Sequence, residues 1–266
     1  MSLIVNLVAA VIFDMDGVIV DSEPLHIESF NEIIAQYDAV ITPDDFKPLV
    51  GRTQPEIFAA VKERFGIEES IESLMARKQE RYLRLVETKI EAMPGLYELV
   101  DWLKALGIKM GIASASPLKD IQTVLRCIRL EGAFDAVLSA VNLLHGKPHP
   151  DIFLLTAKEL GVLPGQCVVL EDSERGVEAA RRAGMTRIAM PNFFTRHHDF
   201  SAADSVVESL FEAKQILDSL SLFSAPLDSL IWGLTLCSPK PNLGRFAVWV
   251  SEKPGFSEKP GFFPRF

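Results

Sequence analysis

Val8-Ala9-Ala10-Val11-Ile12-Phe13-Asp14-Met15-Asp16-Gly17 is the stretch that decides the fold. The unbroken apolar run reads as a strand buried on both faces. It ends in two carboxylates at i, i+2, a spacing that directs side chains to one side of an extended chain. Gly17 permits a sharp exit. Like charges this close repel, so the pair requires a cation, a shared proton or both.

On the carboxyl side of this run, residues 25–93 carry helical periodicity and no strand signal of comparable strength. Ile27, Phe30, Ile33 and Ile34 fall on one face, and Ile57, Phe58, Val61 and Phe65 on another. Ile71, Leu74, Met75, Tyr82 and Leu85 continue the pattern, with Pro43 and Pro55 at helix starts and Gly66 at a helix end. Beyond Met93-Pro94-Gly95 the chain alternates. Helices at 96–105, 118–130, 151–160 and 176–183 separate apolar strands at 110–113, 136–138, 167–170 and 187–190. This predicts an α/β fold, a Rossmann-like parallel sheet flanked by helices, with an inserted helical domain. The boundaries are 1–21 and 94–222 for the core and 22–93 for the insertion. The tandem Ser251-Glu252-Lys253-Pro254-Gly255-Phe256 and Ser257-Glu258-Lys259-Pro260-Gly261-Phe262 makes 223–266 an expected disordered extension. Trp232, Trp249 and Phe256 offer the alternative of an interaction segment.

The chain has 266 residues, 48% of them hydrophobic, and a formal net charge of -9. That acidic balance argues against a nucleic-acid partner, which needs a basic face. No apolar run reaches the ~18 residues of a membrane span, so no membrane partner is expected. Cys127, Cys167 and Cys237 form no C-x-x-C pair and fit no closed disulfide set. A reducing, cytoplasmic compartment is expected, with Met1–Val5 as the lead-in to the first strand. A monomer is consistent with all of this.

Three further polar groups fall after apolar strands: Ser114-Ala115-Ser116, Gly146-Lys147-Pro148 and Glu171-Asp172-Ser173. In a parallel α/β sheet, ligands bind outside the carboxyl ends of the strands, so these groups converge with Asp14 and Asp16. Four carboxylates in one cleft suit a hard divalent ion such as Mg2+. Ser114 offers a hydroxyl, and the turn at Ala115 offers backbone N–H groups to a phosphate. Lys147 supplies a compact positive charge. One carboxylate of the first pair can attack phosphorus and the other can handle the proton of the leaving oxygen. An EF-hand is excluded because Ile19 and Leu25 occupy the positions that need glycine and glutamate. A Walker loop is excluded because Pro148 comes directly after Lys147.

This set resembles the haloacid dehalogenase-like superfamily, in its branch with a helical cap after the first motif. Asp14-Met15-Asp16-Gly17-Val18 matches the first motif, Ser114 the second, Lys147 the third and Glu171-Asp172 the fourth. The resemblance covers about 8–210. It implies Asp14 as nucleophile and Asp16 as acid/base. It also implies Mg2+ held by Asp14, the Asp16 carbonyl and Asp172, with Glu171 assisting. Dehalogenases of the superfamily lack the second aspartate, so Asp16 favours phosphoryl transfer. Receiver-type signalling domains have no helical insertion. The expected function is a Mg2+-dependent phosphatase acting on a small phosphorylated substrate, a sugar phosphate. Ile112–Ser116, Leu170–Ser173, His26 and Lys78 also resemble β-phosphoglucomutases, which makes a sugar phosphomutase the alternative. There the resemblance breaks at Gly51-Arg52-Thr53-Gln54, where glutamine replaces the arginine that grips a distal phosphate. Arg52, His26 and Lys78 are the cap candidates for substrate contact.

Overall fold

The computed structural model describes residues 8–50 and 52–222. The lead-in at Met1–Val5, Gly51 and the 223–266 extension with its three aromatic candidates lie outside the described residues. The first strand, β1, is Ala10–Phe13, with every residue buried. Helices α1 (Glu23–Ile34), α2 (Pro43–Phe46), α3 (Gln54–Phe65) and α4 (Ile71–Lys89) come next. Then come α5 (Leu96–Ala105), β2 (Lys109–Ser114), α6 (Leu118–Cys127), β3 (Ala136–Ser139) and α7 (Asp151–Leu160). The chain continues through β4 (Cys167–Glu171), α8 (Glu174–Arg182), β5 (Thr186–Ala189), β6 (Ser205–Val206) and α9 (Leu210–Leu222).

The strands form one parallel sheet in the order β3-β2-β1-β4-β5-β6. Phe13 is in register with Ile112 on one side and Leu170 on the other. Alternate residues serve opposite faces, as strand geometry requires. Val11, Phe13, Ile112, Val168 and Leu170 join the apolar residues of α5, α6 and α9. Ala10, Ile12, Ala113, Cys167 and Val169 join those of α7 and α8. The strand order reverses between β1 and β4, and a crevice opens at such a switch point outside the carboxyl ends of the strands.

Residues 27–74 build a third apolar cluster around Phe30, Ile33, Phe58, Val61 and Leu74. The second half of α4, from Tyr82 to Val86, packs instead with the sheet cluster that holds Val11 and Phe13. One further residue enters the third cluster from far along the chain: Phe194, 6% exposed, in the loop after β5. Helix α6 stops at Cys127, short of the expected Leu130. Arg129 adopts a left-handed φ of 57°, and the Leu130 N–H folds back onto the Leu125 carbonyl at 2.8 Å.

Candidate active site

Asp14 leaves β1 by donating its N–H to the Leu170 carbonyl of β4 at 2.9 Å, so the first loop is pinned at the switch point. The chain then turns at once. The N–H groups of Val18, Ile19 and Val20 all donate to the Met15 carbonyl. The two carboxylates therefore part, although an extended chain would direct both to one side. Asp14 faces Lys147, whose Nζ donates to its Oδ1 at 2.8 Å. Asp16 accepts from Ser22 Oγ at 2.5 Å and Ser116 Oγ at 2.9 Å.

Lys147 also donates to Glu171 Oε1 at 2.5 Å. The Lys147 carbonyl accepts from Arg175 Nε and Nη2 at 3.0 and 2.7 Å, so α8 holds the loop that delivers the lysine. Glu171 and Asp172 do not cap α8. Ser173 does so, with its Oγ accepting from Gly176 N–H at 3.1 Å. Glu171 Oε2 instead accepts from the Ser173 N–H and Oγ, both at 2.8 Å. A Cβ at Gly176 would overlap this carboxylate, so the close approach of Glu171 to α8 requires glycine there. Gly17, at φ 79°, serves the same purpose on the other wall, where a Cβ would come within 2.7 Å of Asn192 Nδ2.

Ligand oxygens of Asp14, Glu171 and Asp172 lie within 4.8 Å of one another, and all three residues are buried. Burial raises Asp14 to about 7. Lys147 opposes that rise, while Glu171 and Asp16 add to it. Asp172 is held well above the ordinary carboxylate range by burial first, then by Glu171, Glu23 and Asp14. Burial works against the Lys147 charge, but Asp14 and Glu171 outweigh it and raise the lysine. Three buried carboxylates around one lysine leave a deficit of positive charge. Hard oxygen donors in that number fit a divalent cation.

Ser114 is fully buried, and its Oγ accepts from the Ser116 N–H at 3.0 Å, shaping the turn in which Ala115 is exposed. On the insertion side, His26 and Lys78 meet. His26 Nδ1 lies 2.6 Å from Lys78 Nζ, and the His26 ring stacks on Tyr82 at 4.1 Å. Lys78 is only 3% exposed, so it is no solvated helix lysine; burial lowers it to about 8, against the pull of Asp16, Asp120 and Glu23. Burial, then Lys78, holds His26 well below the ordinary imidazole range. Arg52 stands apart from these groups. It is exposed at the start of α3, close enough to Glu56 to help lower that carboxyl.

Several site neighbours carry no strong sequence signal. Ser22 and Ser116 hold Asp16. Glu23 is buried and raised to about 8, by desolvation first and then by Asp16 and Asp21. Asn192 Nδ2 donates to Asp172 Oδ2 at 2.9 Å. Gln79 of α4 donates to Asp120 of α6 at 2.7 Å, tying the insertion to the sheet side. Position after a strand is the one available clue; it applies to Ser116, within the Ser114–Ser116 group, and to Asn192 after β5, but not to Ser22, which stands well past β1.

With this geometry in hand, comparison with known proteins is specific. A family model described as haloacid dehalogenase-like hydrolase matches residues 11–190. The chain is 36% identical over 179 residues to a phosphorylated carbohydrates phosphatase of Thermotoga maritima, covering 67% of this chain and 83% of that one. It is 35% identical over 189 residues to a beta-phosphoglucomutase of Bacillus subtilis, covering 68% and 82%. The crystal structure of CbbY from Rhodobacter sphaeroides in complex with phosphate superposes with a TM-score of 0.70 at 31% identity, covering 77% of this chain and 96% of that one. No described helix is long and apolar enough to cross a membrane. The chain belongs to the haloacid dehalogenase-like hydrolase family, as a phosphoric monoester hydrolase of the branch that holds the sugar phosphatases and β-phosphoglucomutase.

Proposed function

We propose that this chain is a Mg2+-dependent phosphatase that hydrolyses a small sugar phosphate through an aspartyl-phosphate on Asp14. One observation carries the reading: the two acids of the first loop have different partners. Asp14 sits against Lys147 in the buried triad, while Asp16 is held outside it by Ser22 and Ser116. That separation suits a nucleophile and a proton carrier.

Asp14 attacks phosphorus, forming an O–P bond as the ester P–O bond breaks. Asp16 gives its proton to the leaving sugar oxygen. It then takes a proton from water as that water attacks phosphorus and the Asp14–phosphorus bond breaks. Inorganic phosphate leaves, and both carboxyls return to their starting states. Lys147 offsets charge on the transferring group, with the Ser114–Ser116 turn beside it. Asp14, Asp172, the Asp16 carbonyl and Glu171 would hold the Mg2+, which supplies electrostatic stabilisation of the phosphoryl oxygens. The 22–93 insertion serves as a cap that excludes bulk water, and Glu23, His26 and Lys78 face the sugar.

Asp14→Asn is the first test. It is expected to abolish phosphate release from sugar phosphates while leaving the fold intact; retained turnover removes Asp14 as nucleophile. Release should also stop in EDTA and return with Mg2+. The partly buried His26–Lys78 pair and the 35% identity to a beta-phosphoglucomutase favour a second reading, a sugar phosphomutase. Incubation with glucose 1-phosphate, Mg2+ and a trace of the bisphosphate separates the two. Free phosphate supports the phosphatase, and glucose 6-phosphate the mutase.

A further inference from the structure

The loop after β5 touches both halves of the molecule within three residues. At one end, the Asn192 amide donates to Asp172 Oδ2 at 2.9 Å. Its orientation is set from behind, because Asn192 Oδ1 accepts from the N–H groups of Phe194 at 2.8 Å and Thr195 at 3.2 Å. Thr195 Oγ1 in turn accepts from the Asn192 N–H at 3.0 Å. This closed ring of hydrogen bonds can present only the amide NH2 to Asp172. The Asp172 carboxylate and this amide together pack so tightly on the first loop that Gly17 has no room for a Cβ.

At the other end, Phe194 is buried in the insertion's own apolar cluster, edge-on to Phe46 with ring centroids 6.3 Å apart. Lys47, beside Phe46, places its Nζ 3.7 Å from the centre of the Phe193 ring. Phe194 thus leaves the sheet side and becomes a core residue of the insertion. One bond of the ring connects its backbone N–H to the amide that pins Asp172. Withdrawal of the insertion from the sheet would unseat Phe194, pull on its N–H and release the Asn192 side chain.

We propose that Asn192 is a positioning residue for the Asp172 carboxylate, and that Phe194 makes this positioning depend on how the insertion is seated. The inference rests on the metal reading given above. A ligating carboxylate held by an outer hydrogen bond binds more tightly than one free to rotate. By linkage, a metal that prefers the held carboxylate also favours the seated insertion.

The test measures metal affinity directly, without turnover. The full-length protein is titrated with Mn2+ and free Mn2+ is read by its electron paramagnetic resonance signal, with thermal midpoints recorded alongside. Asn192→Ala is expected to weaken Mn2+ binding by about tenfold or more. Phe194→Ala, which changes nothing in contact with the carboxylate, is expected to weaken it by about fivefold. Phe194→Leu, which keeps an apolar group in the seat, is expected to recover most of that loss. The double variant N192A/F194A is expected to bind no more weakly than N192A, because Phe194 acts through the amide.

Absence of Mn2+ binding by the wild-type protein overturns the metal reading, and this inference with it. Wild-type binding that N192A leaves within about twofold overturns this inference alone. So does a Phe194→Ala loss that multiplies with that of N192A, or a fall in thermal midpoint with unchanged Mn2+ affinity.

Discussion

Lys147→Met tests the electrostatics of the site most directly. The side chain of Lys147 is 10% exposed, and its Nζ lies 2.8 Å from Asp14 and 2.5 Å from Glu171, whose own side chains are 11% and 1% exposed. Methionine keeps the volume and removes the charge. Breaking a buried pair by removing one partner costs about 3–5 kcal/mol. The same figure comes from the bonds: two charge-assisted hydrogen bonds at about 1.5–3 kcal/mol each give roughly 3–6 kcal/mol. At about 2–4 °C per kcal/mol for a chain of this size, the metal-free midpoint at pH 8 should fall by roughly 6–20 °C. The loss should shrink at pH 5. Asp14, raised to about 7, is already protonated there, so less charge is left uncompensated. Calorimetry of wild type and variant in EDTA at both pH values reads the effect. A fall of less than about 2 °C at pH 8, or equal falls at both pH values, would refute the assignment of Lys147 as the neutralising group.

Three other groups give further expected outcomes. Glu23 is raised to about 8, so the folded state holds a proton that the unfolded state releases near its ordinary value; the stability this contributes is complete below about pH 4.5 and is lost as pH rises through about 8. The metal-free midpoint of Glu23→Gln should therefore depend less on pH between 5 and 8 than that of wild type, and parallel profiles would remove this role. Gly176→Ala forces a methyl against the Glu171 carboxylate; it should cost about 1–3 kcal/mol and lower turnover by displacing Glu171 from Lys147, and wild-type values for both would count against that packing. The Tyr82 hydroxyl is buried beside the Ser22 side chain but makes no well-formed hydrogen bond among the described residues; Tyr82→Phe should leave the midpoint unchanged or raise it by up to about 1 kcal/mol equivalent, and a clear fall would mean the hydroxyl is satisfied.

Much of the fold and site is legible in the sequence because burial and chemistry alternate along the chain. Apolar runs at Ala10–Phe13 and Cys167–Leu170 mark strands covered on both faces, and in a parallel sheet the residues just past each run lie at the same end. Asp14, Glu171 and Asp172 are found by that logic alone. Asp16 is found too, but its side chain obeys the turn at Met15 rather than the extended line of a strand. Ser116 falls within the Ser114–Ser116 group that this logic picks out, whereas Ser22 and Asn192 escape it because a small polar residue in a loop is an ordinary loop residue until its partner is known. Lys78 carries a usable signal. It shares the buried line of Leu74, Tyr82 and Leu85 along α4, a place where a lysine must find company. Glu23 looks like an acid at a helix start, and only its neighbours reveal that it is shielded from water.

The third apolar cluster shares no residue with the two that sandwich the sheet. Side chains far apart and without common partners contribute independently to stability, a condition that Phe30 does not meet because Lys78 lies over both its ring and that of Tyr82 in the sheet cluster. Mutations among Ile33, Phe58 and Val61 can therefore accumulate while the strands that carry the acids stay in place. Variation in one packing unit without disturbance of the other is built into that partition. Phe194 is the toll point on this freedom, since any change in its seat is felt on the sheet side as well.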